Sequence, residues 1–125
     1  MNRYTVAVLV NNQFGVLNRV TSMFRRRQFN IISLTVSETE SNALSRITVT
    51  FEGGETQKQQ LVNQLYKLPD VCSIKEFTPD TSVSCELMLI KLKNDSKTRS
   101  DILAAADAFG ATTMDYSKDS LMLCL

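Results

Sequence analysis

The chain has no histidine. Ser-His-Asp and Cys-His nucleophile arrangements cannot be assembled within it, and the commonest transition-metal ligand is missing. Cysteine is scarce. Cys72, Cys85 and Cys124 are odd in number and widely spaced, where a disulfide framework or a metal cluster calls for paired spacing. Each falls in an apolar, strand-like run, so buried free thiols and no metal are expected. Glycine numbers only four, and no GxGxxG or Walker A loop is formed; Gly53-Gly54 marks a turn and offers no phosphate cradle. No apolar run approaches the roughly 20 residues that cross a bilayer. The run after Met1-Asn2-Arg3 is too short for a signal peptide and lacks a small-residue cleavage site. A cytoplasmic protein with no membrane partner is expected. An excess of one charge is lacking too: 14 Lys and Arg stand against 13 Asp and Glu, a net +1, balanced in both halves. This points to neither nucleic acid nor an anionic surface. The carboxylates are scattered over loops and helix faces, so the chain reads as non-catalytic.

What is present is periodicity. Tyr4–Val10 is a β-branched run too apolar on both faces for an edge facing water. Asn11-Asn12-Gln13-Phe14-Gly15 breaks it with turn residues. Val16, Leu17, Val20, Met23 and Phe24 then recur at helical spacing to about Arg27. Residues 31–37 alternate, with Ile32, Leu34 and Val36 on one face. Residues 44–51 alternate again, with Ile47, Val49 and Phe51 inward. Thr56 and Gln59 read as a capping box, and Leu61, Val62, Leu65 and Leu68 supply a second helical stripe that Pro69-Asp70 stops. Val71–Phe77 is a fourth strand. The order β-α-β-β-α-β is that of ferredoxin-like α+β domains.

After a short polar linker the pattern restarts. Cys85–Leu92 reads as an apolar strand, and Asn94-Asp95-Ser96 as a loop. Ile102, Leu103, Ala106 and Phe109 mark a helix with Gly110 at its C′ position. Ala111–Asp115 and Ser120–Leu125 read as strands. Met23, Met88, Met114 and Met122 fall at core-like positions. The expected organisation is a βαββαβ domain over residues 3–78, a linker over 79–84, and a partial βαββ unit over 85–125. The second unit is a truncated repeat of the first, expected to leave one face uncovered and an edge unpaired, for further chain or a partner to cover.

The first strand-to-helix turn carries the chemistry. A helix N-terminus presents free backbone N–H groups and partial positive charge, which suits a carboxylate. Gly15 permits positive φ or close approach of a ligand, and the Asn12 amide both donates and accepts. An ordinary turn would use the same residues, with Asn12 capping the helix and Gly15 bending the chain. At Phe29-Asn30-Ile31, Asn30 could equally be a C-cap. Arg25-Arg26-Arg27 reads as a solvated helix end, favourable against the dipole. Two other functions share this element order. An RRM-type RNA-binding module needs stacking aromatics on its central strands, where this chain has Thr48 and Thr50. An acyl-phosphate hydrolase needs a phosphate loop; Arg19 and Asn30 are present without one.

The segment from Val8 to Val36 resembles the start of the small regulatory subunit family of acetolactate synthase (acetohydroxyacid synthase). Its ACT-domain pattern is matched by Asn11/Asn12, Gly15, Leu17 and Arg19, then Arg27, Phe29, Asn30, Ile31, Ser33 and Leu34. Leu44–Thr48, Gln64–Val71 and Glu86–Leu92 are also family-like. The resemblance implies a homodimer through ACT domains, with a valine-like amino acid bound at the seam between chains. Asn12, Gly15, Val16 and Leu17 of one chain would meet Asn30 and Ile31 of the other there. It implies a large catalytic subunit as partner, carrying thiamine diphosphate, Mg²⁺ and FAD, with no cofactor in this chain. It implies activation of that partner and feedback inhibition by valine or another branched-chain amino acid. An ACT-type module regulating a different enzyme is the alternative. The departure is at the C-terminus, where family members run on for another helix and strand.

Overall fold

The structure, a computed structural model, describes residues 2–125. The chain divides into two units, up to Val83 and from Ser84. The first contains β1 (Asn2–Asn11), α1 (Val16–Arg26), β2 (Asn30–Glu38), β3 (Leu44–Gly53), α2 (Glu55–Tyr66) and β4 (Val71–Phe77). Its antiparallel sheet has the order β2-β3-β1-β4. The doubly apolar β1 is thus interior and β2 is an edge.

Directly opposed residues of neighbouring strands share a face. The pairs Tyr4↔Phe51, Val6↔Val49 and Val8↔Ile47 therefore lie together under the helices. Val6, Val8, Val10, Ile47, Val49 and Phe51 are all buried there with Val16, Val20 and Phe24 of α1 and Leu61 and Leu65 of α2. The opposite face carries Thr5 and Thr50, whose hydroxyls meet at 3.0 Å. The rings of Tyr4 and Phe51, 5.9 Å apart, belong to the helix side, so β1 and β3 offer no stacking platform for RNA.

The end of α1 departs from the simplest sequence reading. Phe29 N–H donates to Phe24 O (3.1 Å) and Gln28 N–H to Arg25 O (3.1 Å), a Schellman arrangement with Gln28 at φ 57°. Asn30 is consequently not a C-cap but the first residue of β2. Phe29 then turns inward, its ring edge-on to Phe51 at 5.2 Å and to Phe24 at 6.4 Å. Gly53 makes room for it: a Cβ there would stand 2.8 Å from Phe29 Cε1. Gly53→Ala is expected to cost about 1–3 kcal/mol, the usual penalty of overpacking, as a lowered urea midpoint.

Helix α2 also starts two residues earlier than the expected Thr56–Gln59 box. Gly54 is its N-cap, and the Gly54 N–H donates to Gln57 Oε1 at 3.0 Å. Placing the cap at Gly54 shifts the third helical position to Gln57, out of reach of the predicted pair. Lys58 then joins three elements. Its Nζ lies 2.7 Å from both Glu55 and Glu76 and 5.1 Å from the Tyr4 ring centre, while Tyr4 OH donates to Glu55 (2.8 Å). The Lys58 and Tyr4 hydrogen bonds hold the Glu55 carboxyl below its ordinary value, and Lys58 is pushed up by the two carboxylates. A depressed carboxyl stabilises the fold above its unfolded value, and that contribution is lost as pH falls through the folded one. Lys58→Met is therefore expected to flatten the acid limb of a stability–pH profile, and only slightly, because Glu55 is solvated.

The second unit contains β5 (Leu89–Lys93), α3 (Arg99–Ala108), β6 (Thr112–Tyr116) and β7 (Ser120–Cys124), with sheet order β5-β7-β6. Gly110 occupies C′ as expected, at φ 70°, with Ala111 N–H donating to Ala106 O (2.8 Å) and Gly110 N–H to Asp107 O (3.1 Å). Asn94 is a buried hub: its Nδ2 donates to Ser117 O and its Oδ1 accepts from Arg99 Nε, both at 2.6 Å. Cys85–Leu87 is not strand. The ladder with β7 reaches only to Met88, which exchanges two backbone hydrogen bonds with Leu125. The core is small, with Ala106, Leu121 and Leu123 buried. An apolar groove of about 240 Å³ between α3 and its sheet is open, lined in part by Leu92, Ile102, Phe109 and Leu123.

Two burial expectations fail. Cys72 and Cys85 are exposed and Cys124 is half-buried. Cys72 is the extra residue of a bulge on the edge strand β4, between Val71 and Ser73, and Cys85 precedes β5. Met88 and Met114 are also more than half exposed, because the second unit has one helix to cover its sheet. Among the described residues no helix is long and apolar enough to cross a membrane. Nor, among the described residues, is any group of three or more Cys, Asp or Glu gathered as for a metal.

Candidate functional site

The turn from β1 to α1 is held by its neighbours and leaves its own donors open. Gly15 is the N-cap of α1 at φ 80°, ψ −7°, and the first helical turn has neither a side-chain cap nor an acidic residue. That backbone costs an L-residue roughly 1–2 kcal/mol, which is why glycine stands here. Val16 N–H reaches Gln13 O at 3.4 Å and Arg19 N–H reaches Gly15 O at 3.0 Å. The N–H groups of Leu17 and Asn18 have no acceptor among the described residues, so the positive end of the helix faces outward.

Asn12 does not cap the helix. Its N–H donates to Ala43 O (2.9 Å) and its Nδ2 to Asn42 O (3.1 Å), tying the turn to the β2–β3 loop. One amide hydrogen and the Oδ1 acceptor remain for a ligand. Arg19 braces the other side. Its Nη2 and Nε lie 2.7 and 2.8 Å from Asp70 Oδ2, and its Nη1 would sit 3.2 Å from a Cβ at Gly15. Asp70 O in turn accepts from Asn11 N–H (2.9 Å).

Beside this turn is a shallow cleft of about 80 Å³, lined by Val10, Asn11, Asn12, Gln13, Val16, Leu17, Val36, Ser45 and Ile47. Val16 is buried and forms its floor, while Leu17 is exposed at its rim. Phe14, at the tip of the turn, is fully exposed. Val36 is one of several lining residues that sequence reasoning missed, with Val10, Gln13, Ser45 and Ile47. Its strand was legible, but its approach to Leu17 follows from how α1 crosses the sheet. Asp70 was read only as a helix stop, with no local signal of its pairing with Arg19.

Asn12, Gly15, Val16 and Leu17 thus come together, and Asn30 lies beside Ile31. The two groups do not meet within one chain. Asn11 pairs with Leu44 at one end of β3, and Asn30 pairs with Glu52 at the other. Those ends are eight residue steps apart along β3, roughly 26 Å at about 3.3 Å per residue.

The edge between them is unusual. Every residue of β2 except Ile31 is exposed, and the apolar Ile32, Leu34 and Val36 are 40%, 39% and 43% exposed. Leu34 and Val36 stand opposite the buried Val49 and Ile47, so they face the helix side and extend the core outward without being covered. A nine-residue edge of this kind is a template for pairing with another strand.

Residues 6–73 match the family model for AHAS small subunit-like ACT domains, and residues 85–125 match that for the small subunit of acetolactate synthase. The chain is 42% identical over 121 residues to a probable acetolactate synthase small subunit of Archaeoglobus fulgidus, covering 97% of this chain and 76% of the relative. It is 43% identical over 120 residues to the acetolactate synthase small subunit of Mycolicibacterium smegmatis, covering 96% and 71%. The crystal structure of the acetolactate synthase small subunit from Thermotoga maritima superposes with a TM-score of 0.82 at 28% identity, covering all of this chain and 78% of that one.

Proposed function

The chain belongs to the family of acetolactate synthase small subunits, and on that footing we propose that it is a non-catalytic, cytoplasmic regulatory subunit. It activates a large catalytic subunit and transmits feedback inhibition by a branched-chain amino acid of the valine type. Thiamine diphosphate, Mg²⁺ and FAD are assigned to the catalytic partner, and no membrane or nucleic acid takes part. The ACT domain is assigned to residues 3–78, the linker to 79–84, and the partial second domain to 85–125.

The observation that carries the sensing role is the exposed β2 edge. Antiparallel pairing of β2 with the same strand of a second copy, centred on Leu34, sets Asn30 of one chain opposite Ser37 of the other, next to Glu38, because the bulge at Ile32 takes up one position. Glu38 pairs with Ser45, next to Leu44 and Asn11. Each β1–α1 turn therefore acquires an Asn30 and an Ile31 from its neighbour. Two sites arise, related by the two-fold axis. In each, the Leu17 and Asn18 N–H groups take the carboxylate, the Asn12 and Asn30 amides hold the polar ends, and Val16, Leu17, Val36 and Ile31 surround the aliphatic side chain.

Regulation follows by linkage. A ligand at the seam alters the catalytic partner only through its unequal affinity for two arrangements of the chains. About 1–3 kcal/mol of coupling gives a several-fold to hundredfold effect. Discrimination among valine, leucine and isoleucine is limited to about 1–3 kcal/mol per methylene. The test is calorimetric titration with valine, leucine, isoleucine and serine, together with activity of the large subunit with and without this chain. Saturable binding of a branched-chain amino acid that tracks inhibition is expected. Binding without any change in acetolactate synthesis would favour an ACT module serving a different enzyme.

A further inference from the structure

The edge that this reading pairs carries opposite charge at its two ends. Arg25, Arg26 and Arg27 close α1 just before β2, and all three are exposed. Glu38 and Glu40 lie at the far end, also exposed. None of the five takes part in an ion pair among the described residues. Within one chain the two groups are held apart by the length of β2.

Pairing about Leu34 brings them together. With Asn30 opposite Ser37, the end of α1 that carries the three arginines comes to the end of the partner's β2 that carries Glu38 and, just beyond it, Glu40. The helix points the same way. Leu17 lines the cleft with Val36 of β2, and Thr21 and Arg25 follow it at helical spacing along one stripe. Arg25 therefore faces the β2 edge.

We propose that Arg25, Arg26 and Arg27 of one copy pair with Glu38 and Glu40 of a second copy, twice by symmetry, and that these pairs fix the register of the β2 seam. This rests on the dimer reading above and specifies its partner surface. The apolar pattern alone leaves the register open. Leu34 and Val36 lie on the helix side and alternate with polar residues, so a slip of two residues keeps both of them there. Such a slip would displace Asn30 from the partner's turn by roughly 6.6 Å, at about 3.3 Å per residue, and spoil both sites. It would also separate the charges, which is how rim electrostatics select one geometry over its neighbours.

The test uses two charge-reversed chains: one with Arg25→Glu, Arg26→Glu and Arg27→Glu, the other with Glu38→Lys and Glu40→Lys. Sedimentation equilibrium at low salt is expected to show each alone dimerising at least about tenfold more weakly than the unaltered chain. The defect should shrink in molar salt, where the screening length falls to about 3 Å. An equimolar mixture is expected to recover unaltered affinity as a heterodimer, because both of its charge contacts are again complementary. That recovery also shows that both variants are folded. Variants that dimerise like the unaltered chain, or a mixture that recovers nothing, overturn the ion pairs. A monomeric unaltered chain overturns the seam itself and with it the dimer reading.

Discussion

Leu34→Asp is expected to convert the dimer to monomer and to abolish valine binding in the same step. Leu34 sits at the centre of the edge strand and is 39% exposed, so the isolated chain tolerates a polar residue there. In the paired state two copies of this side chain meet on the symmetry axis. Losing the burial of each costs about 1.5–3 kcal/mol, and the replacement sets two carboxylates against one another. At about 1.4 kcal/mol per decade, the dimer constant should weaken on the order of a hundredfold or more. The informative combination is unchanged circular dichroism, a monomer by sedimentation, and a flat valine titration. A Leu34→Asp monomer that still binds valine would place the ligand inside one chain.

Phe51→Ala carries the largest expected cost in stability. Phe51 is fully buried and touches the rings of Tyr4, Phe24 and Phe29 at 5.9, 5.6 and 5.2 Å. Truncating a buried phenylalanine costs about 3–5 kcal/mol, a large share of the 5–15 kcal/mol that holds a typical domain together. The Tm should fall by more than roughly 10 °C. The effect reaches the site as well. Phe29 packs on Phe51 and immediately precedes Asn30, so loosening the cluster frees the start of β2. Valine affinity should drop even at temperatures where the variant remains folded.

These two residues illustrate what the amino-acid pattern discloses. The central place of β1 followed from apolar residues on both of its faces, and the inward side of β3 from strict alternation. Both are local consequences of burial. Gly15 and Gly110 at positive φ were readable because few other residues accept that backbone. The same reasoning misled where tertiary context decides. Cys72 lies in an apolar run, but a bulge on an edge strand turns it outward. Cys85 has strand-like neighbours but no ladder. Gln28 adopts a conformation that favours glycine because the Schellman hydrogen bonds and the inward Phe29 hold it there.

The candidate site was legible by halves. The amide-rich turn was visible in the order Asn12, Gly15, Val16, Leu17, and Asn30 in the handover to β2. That Asn12 is spent partly on the β2–β3 loop, and Arg19 on Asp70, depends on contacts between residues 30 and 51 positions apart. No local pattern encodes these. The separation of the two halves by the length of β3 became visible only from the register, and it is the ground for proposing a second chain.

Mixing two inactive variants tests directly whether one binding site draws on two chains. Asn12→Ala and Asn30→Ala chains should each fail to bind valine on their own. Mixed in equal amounts and allowed to exchange, about half of the dimers become hybrids. By two-fold symmetry each hybrid holds one doubly damaged site and one intact site. Calorimetry should then recover about a quarter of the unaltered number of valine sites, at unaltered affinity. A mixture that binds no more valine than its separate components would contradict the account.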